Sequence, residues 1–308
     1  MANFSDRLRD GIVGTAAPVV VGLDPRFESL PQPLLGEHRG THDPKVKAGL
    51  YLVFCRDVID AVCQHVPAVK PQSAFFEELG PAGMIVLAEV IQYAREKGLL
   101  VILDAKRNDI GSTATAYAKG MLGANSPWQA DCLTISPYLG DDSLTPFVET
   151  ATANDAGLFC LVKTSNPGGK MLQDLEVDGQ PIYRHVGAHV EALAKQTIGE
   201  CGLGAVGAVV GATYPDQLTE LREAMPSTWF LVPGYGSQGG GAKDVAGGFN
   251  DAGLGAIVNN SRGIIFAYSR EPYASKYEPT QWQRAVEDAT LEMIADLQAE
   301  TSAGKLKG

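Results

Sequence analysis

Short apolar runs closed by polar or turn-forming residues recur along the chain, and between them lie longer stretches whose apolar residues fall three and four apart. The runs are Val19–Leu23, Ala68–Lys70, Leu99–Leu103, Cys132–Ile135, Leu158–Val162, Ala208–Gly211, Trp229–Val232 and Ala256–Val258. Leu99–Leu103 is unbroken by any polar residue, the pattern of a strand covered on both faces in a parallel sheet. Leu52, Val53, Val58, Ile59 and Val62 form one helical stripe, and Leu87, Val90, Ile91 and Ala94 another. Eight strands alternating with helices predict an α/β fold over residues 1–308, a single closed (β/α)8 TIM barrel. Trp282, Val286, Ala289, Met293 and Leu297 make a last helical stripe expected to pack on the barrel or on a partner. Residues 301–308 are expected to fray, and 36–44 reads as a polar excursion after the first strand.

Polar residues fall just past these strands: Asp24, Lys70, Asp104 with Lys106, Ser136, Lys163 with Thr164, Thr213, the glycines from Gly234, and Arg262. In a barrel the carboxyl ends of the strands form one rim, where active sites are built. Along the third run, Leu100, Ile102, Asp104 and Lys106 share a face, so an acid and a base emerge side by side from an apolar wall. Taken alone, that pair could simply be a salt bridge closing a strand. Its place on the rim favours catalysis, because desolvated charges are costly unless paired and such pairs gather at active sites.

Two late loops suit an anion. Pro233–Gly241 follows the seventh run and is rich in glycine; Asn259–Gly263 follows the eighth and carries Arg262. Loops in these positions commonly hold a phosphate on this fold, with backbone N–H groups approaching closely and Arg262 offering a two-pronged donor. Residues 234–239 also spell GxGxxG, but a dinucleotide fingerprint belongs after an early strand of a βαβ unit. The glycine run is long for a barrel loop and is expected to fold over bound ligand as a lid.

A formal charge of −11 over 308 residues argues against nucleic-acid or membrane-surface binding as the main role and leaves a small ligand as the expected partner. The five cysteines form no CxxC pair and read as reduced thiols of a cytoplasmic protein. The N-terminus has no secretion pattern, and no apolar stretch is long enough to span a bilayer. His185 and His189 stand one helical turn apart, but a helix face accounts for them and no metal is implied.

The set Asp104-x-Lys106-x-x-Asp109, with Asp24, Lys70, Gln238 and Arg262, resembles the orotidine 5'-phosphate decarboxylase family. Gly22–Pro25, Val69–Gln72, Lys163–Gly168, Leu231–Gly236 and Asn260–Ile264 are similar to its longer bacterial (type 2) branch, so the resemblance covers about residues 18–270. It implies removal of CO2 from orotidine 5'-phosphate to give UMP, the last step of de novo pyrimidine synthesis, without metal or cofactor. It also implies roles. Lys106 would protonate C6, Asp104 would face the departing carboxylate, and Lys70 would complete an alternating charge array. Asp109 and Thr113 would reach the neighbouring active site of a homodimer. Asp24 would hold ribose hydroxyls, Gln238 and Arg262 the phosphate, and Ser136 the pyrimidine amide.

Three rival readings stay open on the sequence. One is a related sugar-phosphate decarboxylase or aldolase of the same superfamily, which shares DxKxxD and would need a divalent metal. The others are a nicotinamide oxidoreductase built on the glycine loop and a catalytically silent nucleotide sensor, for which the intact Asp104, Lys106 and Asp109 give no reason.

Overall fold

The computed structural model describes residues 2–236 and 239–307. Eight parallel strands close into a barrel: Val19–Leu23, Ala68–Pro71, Leu100–Arg107, Cys132–Ile135, Gly157–Lys163, Val206–Val210, Phe230–Val232 and Ala256–Asn260. Each pairs with the next, and the eighth closes on the first through Val19–Val258 and Val20–Asn259. All eight predicted runs are therefore strands. A small antiparallel hairpin, Glu176–Val177 with Gln180–Pro181, lies outside the barrel and had no apolar signal.

Two cores result from strand alternation. Val20, Ala68, Ile102, Cys132, Phe159, Leu231 and Ile257 fill the barrel interior, while the outward residues pack under the helices. The helix Phe4–Thr15 closes the amino end of the barrel with Phe4, Leu8 and Ile12, four residues apart, and Asn3 caps it by accepting from the Asp6 N–H at 3.0 Å. Gly157 leaves space for the Phe4 ring, which a Cβ there would meet at 2.0 Å. The Trp229 indole donates to Ser5 Oγ at 2.8 Å and ties this plug to the seventh strand.

The helix Gly80–Glu96 buries the predicted Leu87, Val90, Ile91 and Ala94. In the helix Pro44–Val62 the buried stripe is Tyr51, Phe54, Cys55, Val58, Ile59 and Val62, whereas Val53 is 44% exposed. Trp282, Val286, Ala289, Met293 and Leu297 are all buried on Trp282–Glu300, with Trp282 stacked on Phe54 at 5.3 Å. The segment expected to fray is ordered from Ser302 to Lys307 as a 3-10 helix. Ala303 is fully buried, Leu306 packs on both cores, and Ser302 Oγ donates to Asn250 O at 2.7 Å. The excursion holds a 3-10 turn at Gly36–His38 and otherwise runs exposed to Asp43, which caps Pro44–Val62. No described helix is long and apolar enough to cross a membrane. The five cysteines are free thiols.

Candidate active site

A cavity of about 310 Å³ opens at the carboxyl ends of the strands. Its floor is polar on one side, with Lys70, Asp104 and Thr134 from the second to fourth strands. On the other side it is apolar, with Leu161, Val209 and Leu231 from the fifth to seventh. The polar side is a charge array. Lys70 Nζ donates to Asp104 Oδ2 and Lys106 Nζ to Asp104 Oδ1, both at 2.6 Å. Thr134 Oγ1 donates to Asp104 Oδ1 at 2.9 Å, and Gln72 Nε2 to Oδ2 at 3.0 Å. Four donors thus fix one buried carboxylate.

Burial by itself would raise the Asp104 pKa, but the ammoniums of Lys70 and Lys106 outweigh it and hold the carboxyl well below the usual carboxylate range. For Lys70 burial acts downward, and Asp104 followed by Asp24 hold its pKa above the ordinary lysine value. The lysines differ in access: the Lys70 side chain is 5% exposed and that of Lys106 46%. Lys106 is the solvent-accessible arm of the array.

The backbone that presents Lys106 is unusual. It sits at φ +45°, in the left-handed region, where the register between the third and fourth strands slips between Leu103 and Arg107. Its N–H donates to Thr134 Oγ1 at 2.9 Å, so one threonine supports both the backbone of Lys106 and the carboxylate that Lys106 pairs with. Asp104 and Lys106 meet as predicted, through this bulge and not along a regular strand.

Across the cavity stand Pro233, Gly234 and Tyr235 from one loop and Ser261 and Arg262 from the other. Gly234, Gly236 and Gly239 have φ of +103°, +72° and +98°, a backbone path that other residues adopt at a cost. Gly22 is needed for another reason. A Cβ there would lie 1.9 Å from Ser261 Oγ, so its absence lets the loop bearing Arg262 close against the first strand. Asp24 and Asn259 line the cavity, and each keeps a buried Oδ1 without a hydrogen-bond partner among the described residues.

The structure thus brings together Asp24, Lys70, Asp104, Lys106 and Arg262. Gln238 lies outside the described residues. Asp109 and Thr113 do not line this cavity; Asp109 Oδ1 accepts from the Ile110 N–H at 2.8 Å, and Thr113 is exposed. Ser136 also stays off the cavity, its N–H donating to Arg107 O at 3.0 Å, whereas Thr164, Ser165 and Asn166 form the wall after the fifth strand. Lys163, read as a rim residue, is fully buried away from the cavity and pairs with Asp174. The cause is a register shift between Leu161 and Lys163, which breaks the alternation that would turn Lys163 inward. Thr213 is off the cavity as well, donating to Ser165 O at 2.9 Å. Sequence reading missed Gln72 and Thr134. Both could have been found by register, since Gln72 bridges to Asp104, and Cys132 pairs with Ile102 so that Thr134 comes level with Asp104. Among the described residues no group of three or more His, Cys, Asp or Glu is placed to hold a metal ion.

Fold and site together define a (β/α)8 barrel whose cavity floor carries a lysine–aspartate–lysine array. Residues 19–277 match the model of the Orotidine 5'-phosphate decarboxylase / HUMPS family. The chain belongs to that family. It is 53% identical to the orotidine 5'-phosphate decarboxylase of Rhodopirellula baltica over 301 residues, 96% of this chain and 99% of the relative. It is 45% identical to that of Haloarcula marismortui over 267 residues, 86% of this chain and 87% of the relative. Among solved structures, Leishmania donovani OMP decarboxylase is similar at a TM-score of 0.70 and 33% identity, covering 94% of this chain and 99% of that one.

Proposed function

We propose that this chain converts orotidine 5'-phosphate to UMP and CO2, the final step of de novo pyrimidine nucleotide synthesis. The observation that carries the reading is the array of two ammoniums, each 2.6 Å from one buried carboxylate, on the floor of a nucleotide-sized cavity.

In this reading the substrate carboxylate lies against Asp104. The bond from C6 to the carboxylate breaks, CO2 leaves, and the electron pair remains on C6. Lys106 stabilises that pair and delivers its proton to C6, then regains a proton from solvent. Lys70 keeps Asp104 ionised and fixed. Asp24 holds ribose hydroxyls through its unpartnered oxygen, and Arg262 with Gln238 holds the phosphate. The pyrimidine amide falls to the 164–166 wall, with Ser165 and not Ser136 as the reading residue.

Loss of orotidine 5'-phosphate, followed by ultraviolet absorbance in excess EDTA, tests the reading. Turnover unaffected by the chelator is expected. Turnover abolished by EDTA and restored by a divalent ion would instead identify a metal-dependent sugar-phosphate relative.

The site is completed in a homodimer, in which the partner subunit's Asp109 and the partner subunit's Thr113 enter the cavity mouth. Supporting this, the segment bearing them exposes Ile110 (56%) and Tyr117, while Tyr138 is 73% exposed after the fourth strand. Subunit mixing gives a direct check. Asp109→Ala and Lys106→Ala are each expected to be inactive alone. In a mixed dimer one site carries both lesions and the other neither, so an equal mixture should recover about a quarter of wild-type activity. No recovery after confirmed subunit exchange would remove the shared site.

A further inference from the structure

The wall formed by Thr164, Ser165 and Asn166 has no regular structure of its own, yet it must hold shape for a ligand to be read against it. Its support comes from the excursion that follows. Gln173, at the end of the short helix Lys170–Gln173, closes a paired contact on Thr164: its Oε1 accepts the Thr164 N–H at 3.0 Å, and its Nε2 donates to Thr164 Oγ1 at 2.8 Å. The next residue, Asp174, pairs with the buried ammonium of Lys163, which lies 4.6 Å from the centre of the Tyr214 ring and 5.3 Å from that of Tyr183. Adjacent residues of the excursion thus grip adjacent residues at the end of the fifth strand.

A third observation places this clamp under steric constraint. A Cβ on Gly169 would stand 2.9 Å from both Gln173 Oε1 and Thr164 Oγ1, so the paired contact fits because residue 169 has no side chain. The Gly169 backbone, at φ −57°, is open to alanine. From below, Thr213 fixes the Ser165 carbonyl, but that bond does not set the position of Thr164.

We propose that Gln173 is a positioning residue for the pyrimidine-reading wall, holding Thr164 in place while the Lys163–Asp174 pair anchors the segment that carries it. The proposal rests on the nucleotide reading of the cavity. It touches the base half of the ligand and leaves the phosphate half, held on the seventh and eighth strands, unaffected. That separation is what distinguishes a positioning role from general support of the fold.

The experiment compares inhibition of orotidine 5'-phosphate turnover by UMP with inhibition by ribose 5-phosphate, which lacks the base. Gln173→Met keeps the length of the side chain and removes both hydrogen bonds; Gly169→Ala intrudes on the same contact while leaving residue 173 unsubstituted. Each is expected to raise KM and the inhibition constant of UMP about ten-fold while leaving that of ribose 5-phosphate within about two-fold. Gln173→Glu, which can accept from both Thr164 groups, should recover most of the loss. Equal weakening of both inhibitors, or no change for UMP in either variant, would overturn the proposal. Wild-type protein that failed to consume orotidine 5'-phosphate would overturn the function reading instead, so the two failures are distinct.

Discussion

Lys106→Ala is expected to abolish decarboxylation while the protein stays folded and still binds UMP. The side chain is 46% exposed and its ammonium pairs with Asp104, which keeps Lys70, Thr134 and Gln72 when Lys106 is lost. Truncation therefore leaves no unpaired buried charge, the usual source of large destabilisation. The chemistry has no such reserve. Two like charges about 4 Å apart at an effective dielectric near 20 repel by about 4 kcal/mol, which gives roughly three decades of rate if fully released at the transition state. A carbanion at C6 has no electron sink, and accelerations in enzymes reach ~10^17, about 23 kcal/mol. On the proposed mechanism, stress between Asp104 and the substrate carboxylate is far too small, which leaves much of the remainder to a pre-placed ammonium that meets the developing charge and supplies the proton. General-acid and electrostatic contributions together set the expected fall in kcat at about 10^5 or more. Turnover of the variant by absorbance and UMP binding by calorimetry are the measurements. A kcat within ten-fold of wild type would remove Lys106 from the reaction.

That Lys106 could be singled out from sequence at all follows from where its neighbours are buried. A strand covered on both faces must be apolar throughout, so Leu99–Leu103 announced both the element and its polar end. The same logic located all eight strands. It failed where alternation breaks. Nothing in the residues signals the left-handed turn at Lys106 or the register shift that takes Lys163 off the rim. Thr134 was passed over because a β-branched residue inside a strand reads as ordinary sheet, and its two contacts to the array appear only when neighbouring strands are set in register. Ser136 and Ser165 look alike from sequence, each lying just beyond a strand. What separates them is that the chain after the fifth strand is pinned over the cavity by Gln173 and Thr213. The N-terminal plug was not read from the sequence, because three apolar residues on a short stretch, Phe4, Leu8 and Ile12, fall below a convincing stripe.

Arg262→Ala is expected to lower kcat/KM for orotidine 5'-phosphate by about 10^3-fold, although Arg262 stands on the opposite side of the cavity from Lys106. Arg262 is exposed at the mouth and begins the short helix Arg262–Ile265, so its side chain contributes little to the fold. Its planar fork can meet two phosphate oxygens, and each hydrogen bond to a charged group contributes about 1.5–3 kcal/mol. Two such bonds lost correspond to about three decades. The loss should exceed what weaker binding alone would give, because binding energy at a remote group stabilises the transition state when it draws a loop closed and expels water from the reacting end. Gly234 and Tyr235 line the cavity with Arg262, and the loop they begin is the one expected to close. The nucleoside orotidine, which has no phosphate, separates this from a general defect. Its slow turnover should be the same in wild type and variant, while that of orotidine 5'-phosphate falls. An unchanged kcat/KM for the phosphorylated substrate would take Arg262 out of the phosphate grip, and an equal fall for both would show that the variant damages the charge array itself.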